Sequence, residues 1–273
     1  MDIAHNPFDD SDALKKLDLK NLGASRSERS SKYKNWLLGV LQSKKCHRIL
    51  DVACGKGVDS LFLLEQGMEV VSCDDAEAML VYARSEKTRL GLKDWVVKRA
   101  NWLTLSQDLP DQEPFDAVLC LGSSILHLLD LPPELALYRK CLTNFRKFLK
   151  PSGLLLIDHR NVDSMLDRGL VVNKNIYHKV DTFPDISMDV IEEDGVRQQV
   201  DMIFHMPVTS DNKENNNLEK VTIPIAPVHV QNFSALLKEM FGSNCKYSLY
   251  GDLEHMEHVD TEDTAYFQHV VHE

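Results

Sequence analysis

The turn Gly55-Lys56-Gly57 and the segments around it constrain this chain most. An apolar strand, Arg48–Ala53, runs directly into the turn, and a helix, Val58–Gln66, follows it. Glycine adopts positive φ at little cost and has no side chain, so the turn can be tight and its backbone can approach a ligand. A second strand, Glu69–Cys73, ends next to Asp74. This order predicts a nucleotide-type site at the carboxyl edge of a parallel sheet.

Strand and helix patterns continue to alternate along the first 158 residues. Phe115–Leu121 is a continuous apolar run, which is typical of a strand buried on both faces of a sheet. The other strands predicted here are Trp95–Arg99 and Leu154–Asp158, and the other helices are Lys32–Ser43, Ala76–Leu90 and Pro133–Leu149. Strands separated by helices imply a parallel sheet with right-handed crossovers.

The last third of the chain follows a different pattern. Three strands without intervening helices are predicted at Ile186–Asp189, Gln198–His205 and Glu219–Ile225. We expect a β-rich insertion, about residues 175–226, over the catalytic face. Helix Val230–Phe241 and strands Tyr247–Leu249 and Ala265–Val271 then complete the main sheet. The predicted fold is a doubly wound α/β domain, 33–273, with a mostly parallel seven-stranded sheet, an antiparallel last strand and an N-terminal arm, 1–32.

Charge and cysteine content narrow the classes of partner and compartment. The net charge is −11, which argues against a nucleic-acid partner because binding phosphates needs clustered Lys and Arg. Six cysteines form no CxxC pair, so neither a metal site nor a redox site is predicted. The first residues have no secretory signature, and no apolar run is long enough to cross a membrane. We expect a cytoplasmic protein with a small-molecule substrate.

The glycine turn also fits a nicotinamide dinucleotide. That fingerprint has a third glycine three positions after Gly57, where this chain has Ser60. The pattern therefore favours a nucleotide-sulfonium ligand over a dinucleotide. A tight turn without a ligand is the remaining alternative, and Asp51 fits a structural cap as well as a binding residue.

Five blocks of sequence closely resemble the glycine N-methyltransferase family of class I methyltransferases. They are Trp36–Gly39, Leu50–Ser60, Ala100–Trp102, Cys120–Ser124 and Ile157–Asn161, and the likeness extends from about Arg29 to the end of the chain. The resemblance implies S-adenosyl-L-methionine as the methyl donor and a small amine or amino acid as the substrate.

The resemblance also implies which residues surround the donor. Asp74 would hold the ribose, Asn101 and Trp102 would flank the adenine, and Arg29 would bind the methionine carboxylate. The other residues expected around the donor are Tyr33, Ala53, Gly55, Gly57, Met79, Leu121, Ser124 and His127. By the residues alone, Trp102 and Leu121 also fit core positions, Arg29 fits a solvated charge, and His127 fits a structural histidine.

Methyl transfer to an amine requires an aligned pair of reactants and little water. Arg160 follows the fifth strand, and a guanidinium can bind a carboxylate through two parallel hydrogen bonds. The resemblance assigns Arg160 to the acceptor's carboxylate, and Gly122, Ser123 and His178 complete the candidate catalytic set. A structural ion pair of Arg160 with Asp158 or Asp163 is the alternative.

Departures from the family pattern concentrate around the acceptor. Ser123 stands where the family has Asn, and Val162, His178, Phe204 and the Ile225-Ala226 region stand where it has tyrosines. Each lost hydroxyl removes a hydrogen bond worth on the order of 1 kcal/mol to a small polar substrate. We therefore expect the donor to be retained and the acceptor to differ from glycine, or glycine to be used poorly.

The aromatic residues of the family's N-terminal arm are absent before Arg29. In the family that arm closes the site and assembles a tetramer, so both closure and a homo-oligomer, tetramer or dimer, are open questions.

Three functions remain. They are an N-methyltransferase of a small carboxylate-bearing amine, a methyltransferase of an imidazole, thiol or hydroxyl, and a non-catalytic S-adenosylmethionine-binding regulator.

Overall fold

A computed structural model describes residues 29–131, 134–178, 185–207, 218–242 and 244–272. The predicted arm therefore lies outside the described residues as far as position 28. The helices are α1 (Ser31–Ser43), α2 (Val58–Glu65), α3 (Glu77–Leu90), α4 (Leu105–Asp108), α5 (Ala136–Lys147), α6 (Val162–Arg168) and α7 (Val230–Phe241). The strands are β1 (Arg48–Asp51), β2 (Glu69–Asp74), β3 (Val96–Arg99), β4 (Phe115–Cys120), β5 (Leu149–Arg160), β6 (Ile186–Glu193), β7 (Val196–Pro207), β8 (Leu218–Ile225), β9 (Lys246–Gly251), β10 (Glu254–His255) and β11 (Tyr266–His272).

The main sheet has the order β10-β9-β11-β5-β4-β1-β2-β3. Strands β1 to β5 pair in parallel, and β11 is antiparallel to both β5 and β9. The doubly wound α/β prediction is confirmed, and so is the antiparallel last strand. The sheet has eight strands rather than seven. The additional strand is β10, a two-residue edge that pairs with β9 after a turn in which Asp252 and Leu253 both have positive φ.

A separate antiparallel sheet has the order β6-β7-β8, as the β-rich insertion predicted. Along β7 the side chains of Val200, Met202 and Phe204 are buried, which is the alternation expected of a strand with one covered face. The amide of Ala226, just after β8, donates to the carbonyl of Leu126 at 2.8 Å. The small sheet is thereby tied to a short 3-10 helix, Ser124–His127, that follows β4.

Most predicted boundaries differ from the observed ones by a few residues, and two of the affected elements, β5 and α5, show why. Strand β5 continues past Asp158 to Arg160, because its partner β11 pairs with it as far as Arg160↔Tyr266 although His159 and Arg160 are polar. Helix α5 begins at Ala136 and ends at Lys147, not at 133 and 149. Its first amides, those of Leu137 and Tyr138, donate to the carboxylate of Asp130 at 2.6 and 3.1 Å. Asp130 thereby satisfies two amides of the helix's first turn, while the N-cap position itself is Leu135.

Helix α1 packs on one side of the sheet through Tyr33 and Leu37, both completely buried. It begins at Ser31, inside the range predicted as an arm, because Ser30 caps it by accepting from the Tyr33 amide at 3.1 Å. The Ser30 amide donates to the Tyr177 carbonyl at 2.8 Å, which ties α1 to the segment after α6. Within the described ranges, no helix combines the length and apolarity required of a membrane span.

Candidate active site

The glycine turn after β1 has one closed side and one open side. Gly57 has φ +79°, and a Cβ there would lie 2.7 Å from Cη2 of Trp95, so only glycine fits. Gly55 has φ +50°, and a Cβ there would meet no atom within 4 Å. The backbone at Gly55 therefore borders free space at the carboxyl edge of the sheet, where a donor is expected to lie.

Asp74 at the end of β2 holds this turn in place. Its Oδ2 accepts from the Gly55 amide at 2.8 Å, and its Oδ1 accepts from the Ala76 amide at 2.9 Å. Burial raises the pKa of this carboxyl to about 6, although the two amides favour its ionised form. The acidic residue predicted from spacing is thus in contact with the predicted glycine turn.

Asp51 belongs to a buried polar network beneath the turn. Its Oδ2 accepts from Ser60 Oγ at 2.5 Å, Ser60 Oγ accepts from Ser72 Oγ at 2.7 Å, and Ser72 Oγ accepts from Trp95 Nε1 at 2.7 Å. Burial raises the pKa of Asp51 to about 7. The structural alternative for Asp51 agrees with these contacts. Ser60, which replaces the third glycine of the dinucleotide pattern, fixes Asp51 instead.

Asn101 and Trp102 follow β3 and lie beside the ends of β1 and β2. The Asn101 amide group donates to Asp75 Oδ2 at 3.0 Å, and its oxygen accepts from the Leu103 amide at 2.8 Å. Trp102 Nε1 donates to the Val52 carbonyl at 2.7 Å. Both side chains are partly exposed, and Met79 on α3 is partly exposed as well. Trp102 also packs edge-on against a core phenylalanine, which agrees with the core position weighed for it.

The segment after β4 turns sharply. Gly122 and Ser123 both have positive φ, +79° and +60°, and Ser124 Oγ donates back to the carbonyl of buried Leu121 at 2.7 Å. The Ser123 amide donates to Asp158 Oδ1 at 2.8 Å. Its buried hydroxyl oxygen has no hydrogen-bond partner among the residues that the structure describes.

Arg29 is held in a nearly buried ion pair. Its Nε and Nη2 donate to the two oxygens of Asp59 at 3.1 and 2.8 Å, and the two side chains are only 14% and 12% exposed. The guanidinium lies 5.3 Å from the Tyr33 ring centroid and 5.2 Å from that of Tyr177. The alternative of a solvated charge is therefore wrong for Arg29.

Arg160 lies at the carboxyl end of β5 and is only 5% exposed. Its Nη2 donates to the Tyr266 hydroxyl, and its guanidinium carbon lies 4.6 Å from the Tyr266 ring centroid. On the same strand, Asp158 Oδ2 accepts from the Tyr177 hydroxyl at 2.7 Å, and burial raises the pKa of Asp158 to about 7. Asp163 accepts from the Val230 amide at 2.9 Å, as the start of α7 requires.

Burial lowers the pKa of both candidate histidines, His178 and His127, so both are neutral at pH 7. His178 forms an isolated antiparallel bridge with Arg29, and burial together with the Arg29 charge lowers its pKa to about 4. Its Nδ1 is buried and has no described partner, as is also true of the Tyr33 hydroxyl. His127 Nδ1 lies 3.4 Å from the Pro224 carbonyl, and burial lowers its pKa to about 4 as well.

Three residues of this site were not predicted from the sequence, namely Asp59, Tyr177 and Tyr266. Each contributes through a contact across 19 or more positions, with Arg29, Asp158 and Arg160 respectively. No local pattern signals such contacts. By contrast, the positions that depart from the family pattern at Val162, Phe204 and Ala226 are buried among core side chains.

A methyltransferase-domain family model matches residues 43–220. The glycine N-methyltransferase of Rattus norvegicus is 38% identical over 92% of this chain and 87% of its own length, and that of Homo sapiens is 37% identical with the same coverage. Among solved structures, an S-adenosylmethionine-dependent methyltransferase from Clostridium acetobutylicum shares the fold, with a TM-score of 0.63 at 15% identity over 96% of this chain and 98% of that one.

The open space at Gly55, the carboxylate of Asp74 and the buried polar atoms of Ser123, Tyr33 and His178, which have no partner among the described residues, fit a nucleotide-sulfonium donor beside a small polar acceptor. The sequence identity to the glycine N-methyltransferases, and the share of both chains that it covers, are high enough to establish family membership. The chain belongs to the glycine N-methyltransferase family and is an S-adenosylmethionine-dependent methyltransferase.

Proposed function

We propose that the protein transfers a methyl group to the amino nitrogen of a small carboxylate-bearing amine, a glycine-like amino acid. The observation that carries the proposal is the buried guanidinium of Arg160 at the carboxyl edge of the sheet. Two of its contacts are with neutral oxygens, the Tyr266 hydroxyl and the Val172 carbonyl, and its five N–H groups can serve a ligand besides them. The planar fork of a guanidinium matches a carboxylate through two parallel hydrogen bonds, which a neutral alcohol or thiol does not offer.

The donor, when bound, supplies a methyl group activated by its positive sulfur. We propose that Asp74 accepts from the ribose hydroxyls and that Asn101 and Trp102 flank the adenine. Leu121, Ser124 and Met79 would border the rest of the donor. Arg29 would bind the donor's carboxylate while keeping Asp59 as its second partner, since a guanidinium has five N–H groups to share.

On the acceptor side, the chain's own groups orient the amine and exclude water. Ser123 Oγ, Tyr33 Oη and His178 Nδ1 are buried and lack described partners, so each can hydrogen-bond an acceptor at little additional cost. With its pKa lowered, His178 is neutral at pH 7 and can accept a hydrogen bond from an amine. Near-attack alignment of this kind is what methyl transfer requires of the protein.

We also propose that glycine is not the best acceptor. Val162, Phe204 and Ala226 are apolar and buried at positions where the family pattern has tyrosines. Three phenol hydroxyls are thus absent from the region, and a substrate with more carbon and fewer hydrogen-bonding groups than glycine would lose less by their absence.

A panel of acceptors tests this function. The protein is incubated with S-adenosylmethionine carrying a deuterated methyl group, and the products are identified by mass. The panel is glycine, sarcosine, L-alanine, β-alanine, ethanolamine, methylamine, imidazole and cysteamine. We expect methylation of a carboxylate-bearing amine, with an amino acid other than glycine used best. A deuterated methyl group on imidazole or on the sulfur of cysteamine would instead establish a methyltransferase of an imidazole or a thiol.

A non-catalytic binder of S-adenosylmethionine is the other candidate, favoured by the altered acceptor region. Tight donor binding without any labelled product from the panel would support it.

We further propose a cytoplasmic homo-oligomer, either a dimer or a tetramer, with residues 1–32 as its arm and 33–273 as its catalytic domain. Sedimentation velocity of the full chain tests the assembly, and a monomer at micromolar concentration would contradict it.

A further inference from the structure

The sheet has one face toward which Asp158 and Arg160 point. On the other face, a buried chain of hydrogen bonds ends at the carbonyl oxygen of Arg160. Side chains alternate along a strand, so His159 projects away from the face that Asp158 and Arg160 share. His159 and His269, on β5 and β11, are 1% and 0% exposed, and their rings are nearly parallel with centroids 4.8 Å apart. A buried pair of polar rings is costly unless every nitrogen has a partner.

Every ring nitrogen of the pair has a partner. His159 Nδ1 lies 2.8 Å from the Arg160 carbonyl oxygen, and the Nε2 atoms of the two rings are 2.8 Å apart. His269 Nδ1 lies 2.8 Å from the hydroxyl of Tyr247 on β9. That hydroxyl is 2.7 Å from Ser234 Oγ, which is 2.7 Å from the Val230 carbonyl on α7.

The direction of this chain follows from the contact at Arg160. A carbonyl can only accept, so this contact is a hydrogen bond only when His159 carries its proton on Nδ1 and accepts at Nε2. His269 then donates from Nε2 and accepts at Nδ1 from the Tyr247 hydroxyl. Burial lowers the pKa of both rings, so both are neutral near pH 7 and each has one proton to place.

Counting protons confirms that a single order satisfies the rings. The two histidines, Tyr247 and Ser234 hold four protons for five contacts, and both ends of the chain are carbonyls. Ser234 Oγ has one proton for two acceptors, the Val230 carbonyl and the Tyr247 hydroxyl oxygen, so one of these two contacts lacks a proton. Neither choice changes the positions of the protons on the two rings.

The chain ends at the peptide that joins Arg160 to Asn161. The N–H of this peptide donates to the Ala265 carbonyl at 2.8 Å, and its carbonyl oxygen contacts His159. Strand β4 pairs with β5 only as far as Ile157, so Arg160 lies three residues beyond the end of its parallel neighbour. The next residue, Asn161, caps α6 by accepting from the Ser164 amide at 3.0 Å. The Arg160 peptide therefore lies at a junction between strand and helix, and its orientation sets where the guanidinium points.

We propose that His159 and His269 are positioning residues for the acceptor's carboxylate, because the ordered chain from Tyr247 fixes the Arg160 carbonyl and with it the direction of the guanidinium. This inference rests on the proposed function, in which Arg160 binds that carboxylate. It assigns the histidines no contact with the substrate or the donor.

A double-mutant cycle between His159 and Arg160 tests the proposal. KM and kcat are measured with the fastest carboxylate-bearing amine of the panel, and donor affinity is measured by calorimetry. We expect His159→Phe to raise KM about five-fold, the loss of one buried hydrogen bond, with kcat within about two-fold and donor affinity unchanged. In an Arg160→Ala background the same change should alter KM less than about two-fold.

Conservative variants separate positioning from general damage. The amide nitrogen of His159→Asn can donate near the position of Nδ1, so this variant should restore most of the KM that His159→Phe loses. His272→Phe, the same change near the end of β11 and outside the chain, is the matched control and should leave KM unchanged. If His159→Phe does not fold, the double change His159→Phe with His269→Phe removes both polar partners together and replaces it in the cycle.

The outcomes are distinct. Additive effects of His159→Phe and Arg160→Ala on KM, or no rescue by His159→Asn, would overturn the positioning role and leave the proposed function standing. A KM unaffected by Arg160→Ala would overturn both. As an independent check, nitrogen-detected NMR of labelled histidines should find His159 as the Nδ1–H tautomer and His269 as the Nε2–H tautomer, and the reverse assignment would contradict the proposed order.

Discussion

At the scale of single residues, Asp74 connects the glycine turn to the ligand it is expected to bind. Both of its oxygens accept backbone amides, from Gly55 and Ala76, so the turn is held in shape before a donor binds. A carboxylate has about four lone-pair positions, so Asp74 can accept from ribose hydroxyls besides these amides, as proposed above. Preorganisation of this kind lowers the entropy cost of binding.

Replacing Asp74 by Asn should weaken donor binding by about ten-fold or more, because an amide nitrogen cannot accept and hydrogen bonds to an ionised group are worth about 1.5–3 kcal/mol. Calorimetry with S-adenosylmethionine measures the change. Asp94→Asn, an exposed aspartate just before Trp95, is the control and should bind normally. An unchanged affinity in Asp74→Asn would show that the donor lies elsewhere.

Donor affinity should also depend on pH. The folded-state pKa of Asp74 is raised to about 6 by burial, so its carboxylate is ionised above that pH and gains a proton below it. A protonated oxygen cannot accept from both its amide and the ribose, so affinity should fall as pH decreases from 7 to 5. The same titration of Asp74→Asn should be flat over this range, and a parallel decline would assign the effect to another group.

The two glycines of the turn should respond differently to alanine. Gly57→Ala meets the Trp95 ring at 2.7 Å and keeps φ at +79°, so it should lower the free energy of unfolding by about 2 kcal/mol or more. Gly55→Ala meets no neighbour and should cost only about 1 kcal/mol of backbone strain. Its methyl group points into the free space, so it should mainly weaken donor binding. Urea unfolding and calorimetry of both variants test this contrast, and equal effects would contradict it.

At the scale of elements, helices and turns could be predicted from the sequence where neighbouring residues determine them. Glycine spacing, apolar runs and helix periodicity predicted α7 to its first and last residue and located the turn beside Asp74. The end of β5 was missed because pairing with β11, not apolar character, carries it to Arg160. The contacts of Tyr177 with Asp158 and of Tyr266 with Arg160 were missed because they join residues 19 and 106 positions apart.

The network beneath the turn links β1, α2, β2 and the residue before β3. Ser60→Ala removes the donor to Asp51 and the acceptor of the Ser72 hydroxyl, leaving buried polar groups unpaired. We expect a loss of about 1–3 kcal/mol in the free energy of unfolding. Urea denaturation measures it, with the exposed Ser106→Ala on α4 as the control. A loss no larger than that of the control would mean that the network does not support the turn.

At the scale of the whole molecule, one sheet has two functional faces around β5. Asp158 and Arg160 face the side where α1 packs through Tyr33, while His159 faces the side of α7. The small sheet β6-β7-β8 is tied to the segment after β4, next to Ser123 and Ser124. The family fold thus supplies a donor site from local sequence, whereas the acceptor region is assembled from distant segments.

The account's central claim is that Arg160 selects an amine that bears a carboxylate. Its most direct test compares kcat/KM for an amino acid and for a matched amine without the carboxylate, such as L-alanine and ethylamine, in the unaltered protein and in Arg160→Ala. We predict that the amino acid is preferred strongly and that Arg160→Ala reduces this preference by about ten-fold or more, as loss of a charge-assisted pair implies. A preference unchanged by Arg160→Ala would contradict the claim.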